Sequence, residues 1–171
     1  MGGLFSKLIS KLHDSKSESN SKSEIEALNR KCNKVFENTY TRCRVEFGRE
    51  LLELMDIKRR IAEKFEVKEN YNPIQEMLAK KILELIILYF NLADSVVSVK
   101  PTGSSDNYVD NTKDKMIKIH ELINTLNNQF YIKSDNSGSQ EVCDDLINEA
   151  EALKNVIEQS ITQNYKGKLY E

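Results

Sequence analysis

The residues with the clearest chemistry stand at the start of the chain. Met1-Gly2-Gly3-Leu4-Phe5-Ser6-Lys7 matches M-G-x-x-x-[ST], the signal for acylation of the Gly2 amine by myristate once Met1 is removed. Gly3 is small and uncharged and Lys7 follows Ser6, both of which suit the narrow substrate groove of the transferase. Other reactive groups are sparse. Cys32, Cys43 and Cys143 are odd in number and widely spaced, with no CxxC, which fits neither a disulfide scaffold nor a zinc site and points to a reducing compartment. Each falls in an apolar helical pattern and reads as a small packing residue. Of the two histidines, His13 lies in a polar tail, and His120, beside Ile119, reads as a boundary residue and not a general base. Glycine occurs at positions 2, 3, 48, 103, 138 and 167, so no loop can form a glycine-rich phosphate cradle, and the metalloprotease, nucleophile-elbow and EF-hand motifs are absent. No Glu-x-x-His pair is present for a di-iron bundle. The expectation is a protein that is not an enzyme, with no cofactor, metal or small-molecule substrate.

The leader has a second property that bears on the first. Leu4, Phe5, Leu8, Ile9 and Leu12 share one face of a helix, while Ser6, Lys7, Ser10 and Lys11 take the other. Such a helix sinks its apolar side into the headgroup boundary and keeps its lysines wet. A single myristoyl chain binds membranes only marginally, so a second signal is needed. No cysteine is close enough for palmitoylation, and the amphipathic face supplies that signal. Gly2 is the lipidation site and Leu4, Phe5, Lys7, Leu8, Ile9, Lys11 and Leu12 form the membrane-binding surface, with weak help from Lys16. Lys7 and Lys11 also break the hydrophobic run that a secretory signal needs.

The elements behind the leader are helical. Residues 13–23 are serine-rich with nothing apolar and read as a flexible linker. From Glu24 to about Glu66 apolar residues recur in steps of three and four, from Ile25, Leu28 and Cys32 through Phe47, Leu51 and Leu54 to Ile61 and Phe65. Ser21-x-x-Glu24 supplies a capping box at the start. One continuous helix there would be about 64 Å long. Gly48 is its weak point, costing about 1 kcal/mol against Ala. Pro73 to Val99 is apolar nearly all round and predicts a central helix. It is broken by Glu84 and bounded by Asp94, too short an apolar run to span a bilayer. Pro101–Asn111 reads as a polar loop. Two further helices are predicted at about Thr112–Ile132 and Gln140–Asn164, the last with Glu141, Asp144 and Asp145 in its first turns, where the helix dipole favours acids.

The fold class is therefore all-α, an antiparallel four-helix bundle with a long first helix. The layout is 1–12 as membrane tip, 13–23 as linker, 24–164 as helical bundle and 165–171 as tail. Two arrangements of the first helix fit. It overhangs its shorter partners and leaves Ile25, Leu28 and Phe36 as a surface for a partner or self-association, or a kink at Gly48 folds both halves onto the bundle.

Composition narrows the function. The chain has 171 residues, 39% hydrophobic and 30% charged, with Lys+Arg 25 against Asp+Glu 27 and a net charge of −2. A near-neutral balance argues against coating nucleic acid. The charge is uneven: residues 133–163 carry seven acids against Lys133 and Lys154, a face for solvent or for a basic partner. Lys58-Arg59-Arg60 reads as a solvated basic face.

Three resemblances follow from these residues. Met-Gly-Gly-Leu-Phe-Ser-Lys-Leu at the start is similar to the myristoylated leader of ARF-type small GTPases, with no nucleotide-binding motif behind it. A myristoylated leader before a long helix resembles ESCRT filament subunits. Their first helix is strongly basic, whereas this one has ten basic residues against nine acidic. Leu78 to Leu126, with Met116-Ile117-Lys118-Ile119-His120, resembles the last two helices of BAG co-chaperone domains, with Thr112 in place of an Arg that Hsp70 binding uses. The expected function is a myristoylated adaptor on the cytosolic leaflet, peripheral to the membrane, that recruits a protein partner. A soluble co-chaperone-like or assembly subunit whose N-terminal helix docks on protein, and an ESCRT-like membrane-remodelling filament subunit, are the alternatives.

Overall fold

The structure is a computed structural model and describes residues 17–67, 73–99, 106–132 and 140–164, all of them helical. The described residues form four helices in chain order: α1 (Ser17–Val67), α2 (Pro73–Val99), α3 (Asp106–Ile132) and α4 (Gln140–Asn164). The all-α, four-helix reading with the longest helix first holds, and α2 and α4 start and end where the periodicity places them.

The apolar circumference of α2 decides the architecture. Leu78, Ile82, Leu85, Ile86, Phe90 and Leu92 are all buried, on faces that point in different directions. One neighbour cannot cover them, and α2 packs against α1, α3 and α4. Buried hydroxyls on these helices are satisfied locally: Thr39 Oγ1 donates to the Val35 carbonyl and Ser95 Oγ to the Leu92 carbonyl, each at 2.8 Å. Gln75, also buried, donates from Nε2 to the Phe130 carbonyl at 2.9 Å, which satisfies one of the carbonyls that the end of α3 leaves open.

α1 is not straight. Lys58 Nζ donates to Asn33 Oδ1 at 2.7 Å across 25 positions of the same helix. A straight helix would hold these residues about 37 Å apart. Ile25, Glu26 and Asn29 line a small cleft together with Ala62, Phe65 and Glu66. These pairings place the reversal beside Val45, which is 93% exposed at the outside of the bend. Three residues on, a Cβ on Gly48 would stand 3.7 Å from Arg44 Cβ, whereas such i, i+4 neighbours on a regular helix lie about 5–6 Å apart. The chain thus closes tightly at this corner and Gly48 is buried within it.

The limbs alternate in direction. The N-terminal limb of α1 runs alongside α2, through the Glu24–Lys80 and Arg42–Asp94 ion pairs. The C-terminal limb runs back alongside α3, through Glu46–Lys113 and the Phe65–Phe130 ring contact at 6.0 Å. α4 runs with α2, joined by Lys81–Glu151 and Lys154–Glu84.

Three expectations are corrected. The overhang does not exist: Ile25 is 2% exposed, and Leu28 and Phe36 pack against the core. The kinked alternative is the observed one, with its corner at Val45 and not at Gly48 itself. α1 also begins at Ser17, so 17–23 of the expected linker is helix and Ser21-x-x-Glu24 does not start it. Adding residues to an existing helix costs little, since nucleation is the expensive step. α3 begins at Asp106, inside the expected loop, because Tyr108 and Val109 find partners: Tyr108 donates to Ser95 Oγ at 3.1 Å and Val109 packs on the core.

Candidate functional site

Gly2, the expected lipidation site, and Leu4, Phe5, Lys7, Leu8, Ile9, Lys11 and Leu12, the expected membrane-binding set, lie outside the described residues. The structure bears on their attachment. With α1 starting at Ser17, only residues 13–16 separate the tip from the first helix, in place of the expected eleven-residue linker.

Within the body, groups that could react are turned inward. Cys32, Cys43 and Cys143 form no disulfide and are buried, the packing role their setting predicts. The Cys32 thiol donates to the Leu83 carbonyl at 3.6 Å. Burial pushes the Cys32 and Cys43 thiols up to about 12, aided at Cys43 by the neighbouring Asp94 carboxylate, so neither supplies a thiolate near neutral pH. His120 sits at the α1–α3 seam with 25% of its side chain exposed. Glu53 Oε2 lies 3.6 Å from its Nε2, and that nitrogen is buried without a hydrogen-bond partner among the described residues. This is a boundary position, as the sequence implies. Lys58-Arg59-Arg60 divides differently from expectation. Arg59 pairs with Asp56 and Glu63, and Arg60 with Asp56, along the outer surface of one helix. Lys58 instead turns inward to Asn33 and is 9% exposed, because the fold-back puts the other limb of α1 against it.

Among the described residues, two surface grooves stand out, and neither is visible in the sequence. One, of about 650 Å³, runs between α3 and α4 over Leu122, Leu146, Leu153 and Val156, with Lys118, Glu121 and Glu149 at its edges. Val156 is 56% exposed there. The other, of about 510 Å³, lies between the C-terminal limb of α1 and α3. Phe47, Tyr89 and Met116 form its floor, and Glu46, Glu50, Glu53 and Glu121 outnumber Lys113 and His120 on its walls. Burial, with Glu50 and Glu53 close by, pushes the Tyr89 hydroxyl well above its ordinary value. The helical spacing of Glu46, Glu50 and Glu53 was the only available signal. It shows that they share a face, but not that the face meets α3.

The acidic α4 is only partly free for a partner. Glu151 bonds to Lys81, which holds its carboxyl below the ordinary range, and Lys81 also reaches Glu84 at 3.0 Å. Asp145 and Glu149 face outward. No cluster of three or more His, Cys, Asp or Glu among the described residues is arranged to hold a metal. No described helix is long and apolar enough to cross a membrane. No family model, curated protein or solved structure matches the chain.

Proposed function

We propose that this protein is a non-enzymatic, N-myristoylated adaptor held peripherally on the cytosolic leaflet of a membrane, where its helical body engages a protein partner. One observation carries the reading: the acylation signal at Gly2 and Ser6 and the apolar face of Leu4, Phe5, Leu8, Ile9 and Leu12 occupy the same twelve residues. Each supplies the signal the other lacks, since a lone myristoyl chain or a short amphipathic helix binds bilayers weakly. The body supports a binding role through its grooves, the one between α3 and α4 lined by apolar side chains and edged by Glu121 and Glu149 with Lys118 beside them. A partner segment with apolar residues on one side and basic residues beside them matches that surface. The alternative of a soluble co-chaperone-like or assembly subunit rested on two features: the overhanging stripe, which the burial of Ile25 removes, and the BAG-like pattern within Leu78 to Leu126, which stays.

Metabolic labelling with an alkyne myristate, comparing the native chain with Gly2→Ala, tests the proposal. Label on the native chain alone, with loss of the variant from the membrane fraction, is the expected result. Equal labelling of both, or an unchanged membrane fraction, rejects it.

A further inference from the structure

The reversal of α1 has no turn sequence at its apex, and the nearest turn-type residue, Gly48, stands three positions past Val45. Cys43-Arg44-Val45-Glu46-Phe47 holds no Pro, Gly, Asn, Asp or Ser, the residues that supply turn geometry. No loop separates the two limbs within Ser17–Val67. β-Branched Val45 stands at the apex with 93% exposure and anchors nothing. The stripe Val35-Thr39-Cys43-Phe47-Leu51-Leu54 crosses the corner in unbroken steps of three and four, as it would on one straight amphipathic helix.

Local sequence thus favours a straight α1, and long-range contacts alone hold it folded. Those contacts include the burial of Ile25, Cys32 and Val35 in the core, the Asn33–Lys58 hydrogen bond, the Arg42–Asp94 and Glu24–Lys80 ion pairs, and Phe36 against Phe90 at 6.0 Å. Conflict between local preference and tertiary arrangement at a short hinge is the condition under which two copies exchange an element.

We infer that α1 is an exchange hinge: in a dimer α1 straightens at Val45, and each N-terminal limb docks on α2 and the C-terminal limb of the second copy. The occupant is specified by the contacts themselves. The surface vacated by one limb is complementary to that limb, and the second copy carries the same one. Every pair named above re-forms between chains, so the closed monomer and the exchanged dimer differ at the hinge and in the entropy of association. A straight α1 of 51 residues would be about 76 Å long. Because the limb competes against its own tethered copy, at an effective concentration on the order of millimolar, the dimer forms from concentrated, refolded protein and not from dilute protein.

The test measures the distance between the limbs within one chain. Arg30 and Glu63 are both exposed. Each is replaced by p-acetylphenylalanine carrying a spin label, which leaves the three native cysteines untouched. Labelled full-length chain is mixed with a tenfold excess of unlabelled chain, refolded at about 1 mM and separated by size. Monomer should give a short distance, about 10–20 Å for packed helices and label arms. The dimer should give about 50 Å for 33 positions of straight helix. Inserting Asp-Gly-Gly after Val45 encodes the turn and should lower the dimer fraction at least tenfold, with helicity unchanged by circular dichroism. A dimer that keeps the short distance, a chain that stays monomeric at this concentration, or a dimer fraction unmoved by an insertion that preserves the fold each overturns the inference.

Discussion

Removing the Asn33–Lys58 contact tests the fold-back of α1 at its most informative point. Lys58 is 9% exposed and its ammonium donates to Asn33 Oδ1 at 2.7 Å. A hydrogen bond to a charged group contributes about 1.5–3 kcal/mol, and an ammonium left without it bears its desolvation alone. Asn33 is only half-buried, so water replaces part of the loss and Asn33→Ala should cost about 1.5 kcal/mol. Lys58→Met keeps the packing of the stem and removes the buried charge. In that background Asn33→Ala should cost less than about 0.5 kcal/mol, which leaves a coupling energy of about 1 kcal/mol. Urea denaturation of the native chain, both single variants and the double variant gives the number directly. On a straight α1 the two sites are about 37 Å apart and their effects would add. Coupling below about 0.5 kcal/mol refutes the reversal and everything argued from it. The pH dependence supplies a second readout. Burial, with the neighbouring Arg59 charge, lowers the Lys58 pKa from its ordinary 10.5. Between the folded value and 10.5 the unfolded chain holds more protons than the folded one, so this residue makes stability rise with pH in that window. Lys58→Met should remove that rise.

Other predictions concern separate parts of the molecule. Phe5→Asp should release the myristoylated chain from liposomes, because burying Phe5 in the bilayer contributes about 1.5–3 kcal/mol, and should leave the melting temperature unchanged. A drop of several degrees would mean that the tip packs on the body. Gly48→Ala should raise stability by about 0.4–1 kcal/mol, since the new methyl meets Arg44 Cβ at an ordinary 3.7 Å. Destabilisation in a thermal melt would show that the corner has no room. Cys32 and Cys43, with thiols pushed up to about 12, should react with a thiol reagent at pH 8 only as fast as the protein unfolds. Rapid modification of the folded chain would contradict their burial.

Helix content was legible because it depends on neighbours three and four residues away. The stripe from Ile25 to Phe65, the apolar circumference of α2 and the dipole-matched acids of α4 all specify local structure, and the central position of α2 follows from having no polar face. The ends of α1 and α3 were less legible. Ser17–Ser23 carries no apolar stripe, and Tyr108 and Val109 earn their helical turn only by meeting Ser95 and the core. The candidate site divides the same way. The acylation motif and the apolar face of residues 4–12 are linear features that can be read directly, whereas both grooves join residues more than twenty positions apart. The reversal of α1 belongs wholly to tertiary structure. A hydrophobic stripe in unbroken phase reads the same on a straight helix as on one folded back, because each backbone hydrogen bond spans four residues and carries no information about the far limb. Asn33 and Lys58, or Arg42 and Asp94, announce nothing as sequence. Only when the chain chooses between an exposed stripe and a buried one does the hydrophobic effect bring them together.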